Sequence, residues 1–180
     1  MLSVPSRYSK EPTNSQQIQH NLTRQKMSDP VISIGMAADQ VPQRSGKVLW
    51  EHHDGNQHHD ARRLPNGNTI YIAWEPLDEF SAKRVHGGIP GSEKDGIIYG
   101  DVIREITPEK EVVWEWRTKE MEIENYPICP LCPRAEFAHA NTVSPLANGD
   151  ILVSFRVLNT IILIDRKTRK IKWEHKLNFF

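Results

Sequence analysis

The chain has 180 residues, 38% of them hydrophobic, and its 23 basic and 23 acidic residues cancel. That balance gives no argument for nucleic acid or an anionic membrane surface, both of which favour a basic excess. No apolar run approaches the ~20 residues of a membrane span, and the start, M-L-S-V-P-S-R-Y-S-K, lacks the apolar core of a signal peptide, so at face value the product stays in the cytoplasm.

Residues 1–45 are rich in Ser, Gln, Asn, Pro and Lys and carry no sustained periodicity, which predicts a mostly disordered segment. Within it, Val31 to Met36 is a short apolar run with the look of a stray strand or an edge contact, and Asn21-Leu22-Thr23 is a sequon that matters only if the chain is secreted. From Ser45 the texture changes. The phrase S-G-K-V-L-W-E-H returns as E-K-E-V-V-W-E-W and again as T-R-K-I-K-W-E-H, placing Trp50, Trp114 and Trp173 in equivalent strands. The period is about sixty residues of strand-forming sequence without a long amphipathic helix, which points to propeller blades rather than a helical solenoid. Each Trp is expected to pack between blades. The glutamates that follow, Glu51, Glu115 and Glu174, read as solvent-facing.

Between these phrases, H-H-D-A-R-R-L-P-N-G-N-T-I-Y-I-A (58–73) is one hairpin, with Ile70 to Trp74 as its return strand. A long loop, Glu75 to Gly96, precedes a third strand, Ile97 to Ile106, and a fourth, Val112 to Arg117. The run P-I-C-P-L-C-P-R holds both cysteines, Cys129 and Cys132. The flanking prolines oppose a helix starting at Cys129, so a Pro-stiffened loop with incidental thiols is the first reading; a redox pair, or zinc ligation with nearby His139, is the alternative.

The second hairpin, Phe137 to Arg156, organises the site. Asn148-Gly149 between two apolar runs predicts a type I′ turn. On the incoming strand His139, Asn141 and Val143 share a face by alternation, and Arg156 closes the hairpin near them. Aligning Asn66-Gly67 with Asn148-Gly149 sets His59 against Asn141, with His58 the fallback if the register slips by one. Imidazole, amide and guanidinium together suit an anion rich in oxygens. Strands at Ile161 to Ile164 and Ile171 to His175 finish the second blade. The fold class is therefore all-β, an incomplete β-propeller: residues 46–180 hold two nearly whole four-stranded blades plus one outer strand. An open ring leaves sheet edges through which copies could self-associate.

At H-H-D-A-R-R-L-P-N-G-N, G-D-V-I-R-E-I, F-A-H-A-N-T-V and I-D-R-K-T-R-K-I-K-W, the sequence resembles the bacterial-type arylsulfate sulfotransferases over about residues 46–180. The resemblance implies a six-bladed propeller and transfer of a sulfuryl group from a phenolic sulfate ester to a phenol through a sulfated histidine. It implies no cofactor and no nucleotide donor, and members are often exported to the periplasm. Carried over by position, His139, Asn141 and Arg156 match the family's sulfate-binding residues and His59 a further channel histidine. The family's nucleophilic histidine lies in a later blade, and His175 follows an outer-strand Trp and does not match it. The expectation is a fragment without turnover of its own. A non-catalytic propeller that binds small anions or a protein, and a metal- or quinone-dependent propeller, are the competing readings. The cluster E-H-H-D-G-N-Q-H-H-D (51–60) invites a metal, but its adjacent histidines point to opposite strand faces. The expected partners are thus an aryl sulfate and a phenol, with no metal, nucleic acid or membrane.

Overall fold

The computed structural model describes residues 31–35 and 48–177. In chain order, β1 (Val31–Gly35) and β2 (Val48–His53) form an antiparallel pair. Next come β3 (Gln57–Arg63) and β4 (Thr69–Pro76), then a short helix α1 (Glu79–Lys83) and β5 (Gly87–Ile89), then β6 (Tyr99–Ile106) and β7 (Val112–Arg117). Two single 3-10 turns lead to β8 (Ile128–Pro133), and the chain continues through β9 (Ala140–Pro145), β10 (Ile151–Phe155), β11 (Thr160–Ile164) and β12 (Ile171–Lys176). The body is two four-stranded antiparallel sheets, ordered β3-β4-β6-β7 and β9-β10-β11-β12, and neither closes on itself. β5 and β8 make a small parallel pair between them in sequence. Among the described residues no helix is long and apolar enough to cross a membrane.

Burial explains the strand patterns. β10 and β11 each alternate buried and half-buried residues, so one face of the second sheet is a core face. β4 is buried at five successive positions, Thr69 to Ala73. One of its faces, with Ile70 and Ile72, joins Ile103, Trp116, Phe137, Val153 and Ile162 in the core shared with the second sheet. Its other face, Tyr71 and Ala73, packs with Val102 and Ile106 against Trp50 of β2. The first sheet is therefore covered on both sides.

Trp50 and Trp114 do pack between neighbouring sheets. Trp50 Nε1 donates to the Pro108 carbonyl at 2.8 Å and Trp114 Nε1 to the Arg166 carbonyl at 3.0 Å, each binding the β-turn of the next sheet. Trp173 departs from that expectation: it is 50% exposed and stacks only on His175. Glu115 also departs from its solvent-facing assignment. It lies half-buried between Arg104, 2.5 Å away, and Arg117, 2.6 Å away, and Arg104 continues to Asp54 at 3.0 Å. A guanidinium planted on the inner part of the sheet draws the carboxylate in.

Val31–Gly35 is a paired strand inside the segment read as mostly disordered; the rest of residues 1–45, with the Asn21 sequon, lies outside the described residues. Helix α1 falls inside the predicted loop. Its five residues are too short to show a period, but Asp78 caps it, its side chain accepting the Ser81 amide at 2.8 Å. The hairpin turns differ from type I′. Gly67 and Gly149 have φ of 87° and 91°, while the asparagines before them do not adopt positive φ. Gly67 N donates to Leu64 O at 3.0 Å and Gly149 N to Leu146 O at 2.9 Å, so both hairpins close by the same longer turn with glycine in the left-handed position.

Two glycines give a paired test of backbone constraint. Gly87 has φ of 77° and an added Cβ would sit 2.2 Å from the Ile128 carbonyl oxygen, whereas Gly91, φ 78°, has nothing within 4 Å. Gly91→Ala should cost about 1 kcal/mol, the left-handed strain alone. Gly87→Ala should cost about 2 kcal/mol or more, because β5 must also leave β8. Urea melts of the two variants check the difference; equal losses would contradict it.

Candidate active site

The inner strands of the two sheets, β3 and β9, lie side by side: the Val143 amide of β9 donates to Asp60 Oδ2 of β3 at 3.1 Å. Both strands are irregular at the point where they meet. In β3 the pairing with β4 jumps from Gln57 to Ala61, so His58, His59 and Asp60 bulge out, and His59 takes φ 53°. In β9 the pairing with β10 jumps from Thr142 to Ala140, leaving Asn141 as the extra residue. Just before it, Ala138 and His139 have φ of 78° and 55°. Three non-glycine residues in the left-handed region, each costing about 1–2 kcal/mol, converge on one place. The bulges re-aim side chains, as such irregularities do.

Their product is a contact between His59 Nε2 and His139 Nε2 at 2.8 Å. On its other nitrogen, Nδ1, His139 meets the Glu136 carboxylate. That carboxylate accepts a hydrogen bond from Nδ1–H, so the Nε2–Nε2 contact holds a single proton, one nitrogen donating and the other accepting. Burial, followed by the charges of His139 and His58, lowers the His59 pKa below its usual value. The strained loop is held at both ends. Arg156 N donates to His139 O at 3.0 Å and Val157 N to Ala138 O at 3.2 Å, while Phe137 N donates to Tyr99 O at 2.7 Å.

This corrects the predicted placement of His139 on the strand, sharing a face with Asn141. His139 precedes β9, and the reversed backbone at Ala138 and His139 breaks the alternation that the prediction used. Asn141 is half-buried at the bulge. Arg156 is exposed, one residue beyond β10, and among the described residues it forms no ion pair. His58, the alternative register, stays in the same cluster, its ring centroid 5.2 Å from that of His59 and 6.2 Å from that of His139. It stacks on Trp74 with ring centroids 3.5 Å apart and planes 6° apart, and its Nε2 is 3.1 Å from Asp101 Oδ1.

Asp101 has no exposed surface, and its Oδ1 accepts the Ala140 amide at 3.0 Å, tying β6 of the first sheet to the start of β9. Its contact with His58 is close but poorly aligned: both His58 nitrogens and Asp101 Oδ2 have no hydrogen-bond partner. Burial raises the Asp101 pKa to about 7 and lowers that of His58 to about 4. Glu136, Asp101 and Trp74 escaped the sequence reading. The signal for Asp101 was a carboxylate at a central position of an otherwise apolar strand, and for Glu136 a carboxylate three residues before the histidine.

The cluster 51–60 divides. His52 leans on Tyr71 and His53 lies 3.9 Å from Glu51, whereas His58 and His59 remain in edge-to-face contact beside His139. Among the described residues no three His, Cys, Asp or Glu side chains are grouped to hold a metal. Cavities of about 550 and 650 Å³ lie elsewhere, one against Arg62 and Pro145, the other between Trp116 and Trp173; the histidine pair faces an open surface.

The opposed shifts of Asp101 and His58 make a testable signature. On folding near pH 5.5 a proton leaves the histidine, which carries it when unfolded, and one is taken up by the carboxyl, so the pair adds almost no pH slope to stability. In Asp101→Asn only the lowered histidine remains. The unfolded chain then binds more protons, and stability should fall as pH drops from about 6.5 towards 4, by up to ~1.4 kcal/mol per pH unit relative to wild type. Urea melts across that range measure it; parallel wild-type and variant profiles would contradict the pairing.

One solved structure, described as a protein of unknown function from Bacteroides caccae, is 16% identical, with a TM-score of 0.28; the match covers 74% of this chain and 52% of that one. The chain thus spans about half the length of that protein. No match was found among curated proteins. The family described as Arylsulfotransferase (ASST) matches residues 42–175, which take in both four-stranded sheets and the paired histidines, and the chain therefore belongs to the arylsulfotransferase family.

Proposed function

We propose that His59, His139, Asn141 and Arg156 form the sulfuryl-binding part of an arylsulfotransferase site, built on an incomplete six-bladed β-propeller of which the two sheets are blades. The reaction is transfer of a sulfuryl group from a phenolic sulfate ester to a phenol by way of a sulfated histidine. The observation that carries this reading is the meeting of His59 and His139 at 2.8 Å, with the Arg156 backbone amide donating to His139 O at 3.0 Å and no ion pair at Arg156 among the described residues.

The chemistry follows from the charges. A transferring sulfuryl group spreads charge over equatorial oxygens and leaves behind a phenoxide, so positioning and electrostatic stabilisation do most of the work, as in phosphoryl transfer. Arg156 is permanently charged and offers a planar fork to two oxygens. Asn141 supplies an amide N–H. His139, oriented by Glu136 through Nδ1, presents Nε2–H to the bridging oxygen and hands its proton to the departing phenoxide. An oxyanion inserted between the two imidazoles needs an N–H on both facing nitrogens, where the Nε2–Nε2 contact holds only one, so binding takes up one proton at the pair. None of the described residues is assigned the role of the family's nucleophilic histidine; the four residues account for binding the sulfuryl group and protonating the leaving phenoxide.

Calorimetric titration with an aryl sulfate tests the reading. Because His59 starts with a lowered pKa and binding takes up a proton at the pair, affinity should rise as pH falls below about 6.5 and weaken above it. His139→Ala and Arg156→Ala should each weaken binding by about tenfold or more, the loss of one charge-assisted donor. Wild-type affinity in both variants would remove the site.

A further inference from the structure

The loop that carries both cysteines is not incidental in shape. β5 steps only from Gly87 to Ile89 while β8 runs from Ile128 to Pro133, and the parallel pairing resumes at both ends. The four residues Cys129-Pro130-Leu131-Cys132 are therefore forced off the pair as a loop. Leu131 at its tip is 79% exposed. The turn carries Cys129 and Cys132 on one bulge, and both thiols are free.

The same turn aims the backbone amides of Leu131 and Cys132 at the Cys129 sulfur. Convergent N–H groups favour a thiolate, as a helix N-terminus does, and here no helix is required. The base of the loop is pinned by Cys129 N donating to Val157 O at 2.9 Å, which sets the pair beside Arg156. These amides, the Cys132 thiol and the charge of Arg156 all lower the Cys129 pKa, while burial raises that of Cys132. Position separates an attacking sulfur from a resolving one, since Cys129 and not Cys132 lines a cavity that a small disulfide can enter. A cavity of about 340 Å³ has Cys129 in its wall, with Lys176 at its edge.

We propose that Cys129 and Cys132 are a thiol–disulfide exchange site whose substrate is a low-molecular-weight disulfide. The Cys129 thiolate attacks one sulfur of the disulfide, a mixed disulfide forms at Cys129, and the first thiolate leaves and takes up the proton that Cys129 lost. Cys132 then gives up its proton and attacks the Cys129 sulfur. The Cys129–Cys132 bond forms, the second thiolate leaves and is protonated in turn. The two cysteines lose two electrons together and the disulfide becomes two thiols.

The test treats the full chain, Cys132→Ser and Cys129→Ser with glutathione disulfide and follows intact mass. Wild type should lose both thiols and retain no glutathione. Cys132→Ser should keep one glutathione on Cys129, and Cys129→Ser should react about tenfold more slowly or less. Alkylation of Cys132→Ser by iodoacetamide should show its inflection below the ~8.5 of an ordinary thiol. Equal rates in the two variants, an inflection at the ordinary value, or wild type keeping both thiols or a stable glutathione adduct would each overturn the proposal. The wild-type arm decides by itself if a variant fails to fold.

Discussion

A buried carboxylate, Asp101, ties the two sheets together at the point on which the site depends. Asp101, on the third strand of the first sheet, accepts the Ala140 amide where the second sheet begins. It does so with no solvent contact, which would be costly for a charged group. The protein answers by raising its pKa and stacking a neutral His58 over the spot, between Asp101 and Trp74. Such a contact gains less in stability than it fixes in geometry: it sets where β9 starts, and so where His139 must turn.

From that anchor the rest follows by short steps. The chain reaches Ala140 through two left-handed residues, Ala138 and His139, whose strain is offset by hydrogen bonds from Arg156 and Val157 and by the Phe137 amide on Tyr99. The reversal throws the His139 ring across the seam to His59, itself thrown out by the bulge in β3. The same hydrogen bonds bring Arg156 to the seam. A dry interior of suppressed charge thus borders the seam, and Arg156 forms no ion pair among the described residues, the contrast on which the proposed anion site rests.

The strands were legible because their apolar periods and Trp-bearing phrases survive in any context, and the seam-packing of Trp50 and Trp114 follows from them. Three features were not. The turn type was misread because Asn-Gly marks a left-handed glycine but does not oblige the asparagine to join it. The placement of His139 was misread because nothing in Phe137-Ala138-His139 announces a backbone reversal; neither residue in it is glycine, and only tertiary hydrogen bonds enforce the conformation. Helix α1 was too short to show itself by period. The chemistry was more visible than the geometry: His59, His139 and Arg156 were nominated by type and spacing, whereas Glu136 and Asp101, which aim and anchor them, act through contacts that alternation cannot express.

The central claim is that His59 and His139, from neighbouring sheets, grip one oxyanion between them. Nitrogen-15 NMR of the imidazoles during titration with inorganic sulfate measures this directly. The account predicts saturable, matching shifts at the Nε2 atoms of His59 and His139, with His52 and His175 unmoved. Unchanged His59 and His139 signals, or equal drift of all the histidines, would contradict it.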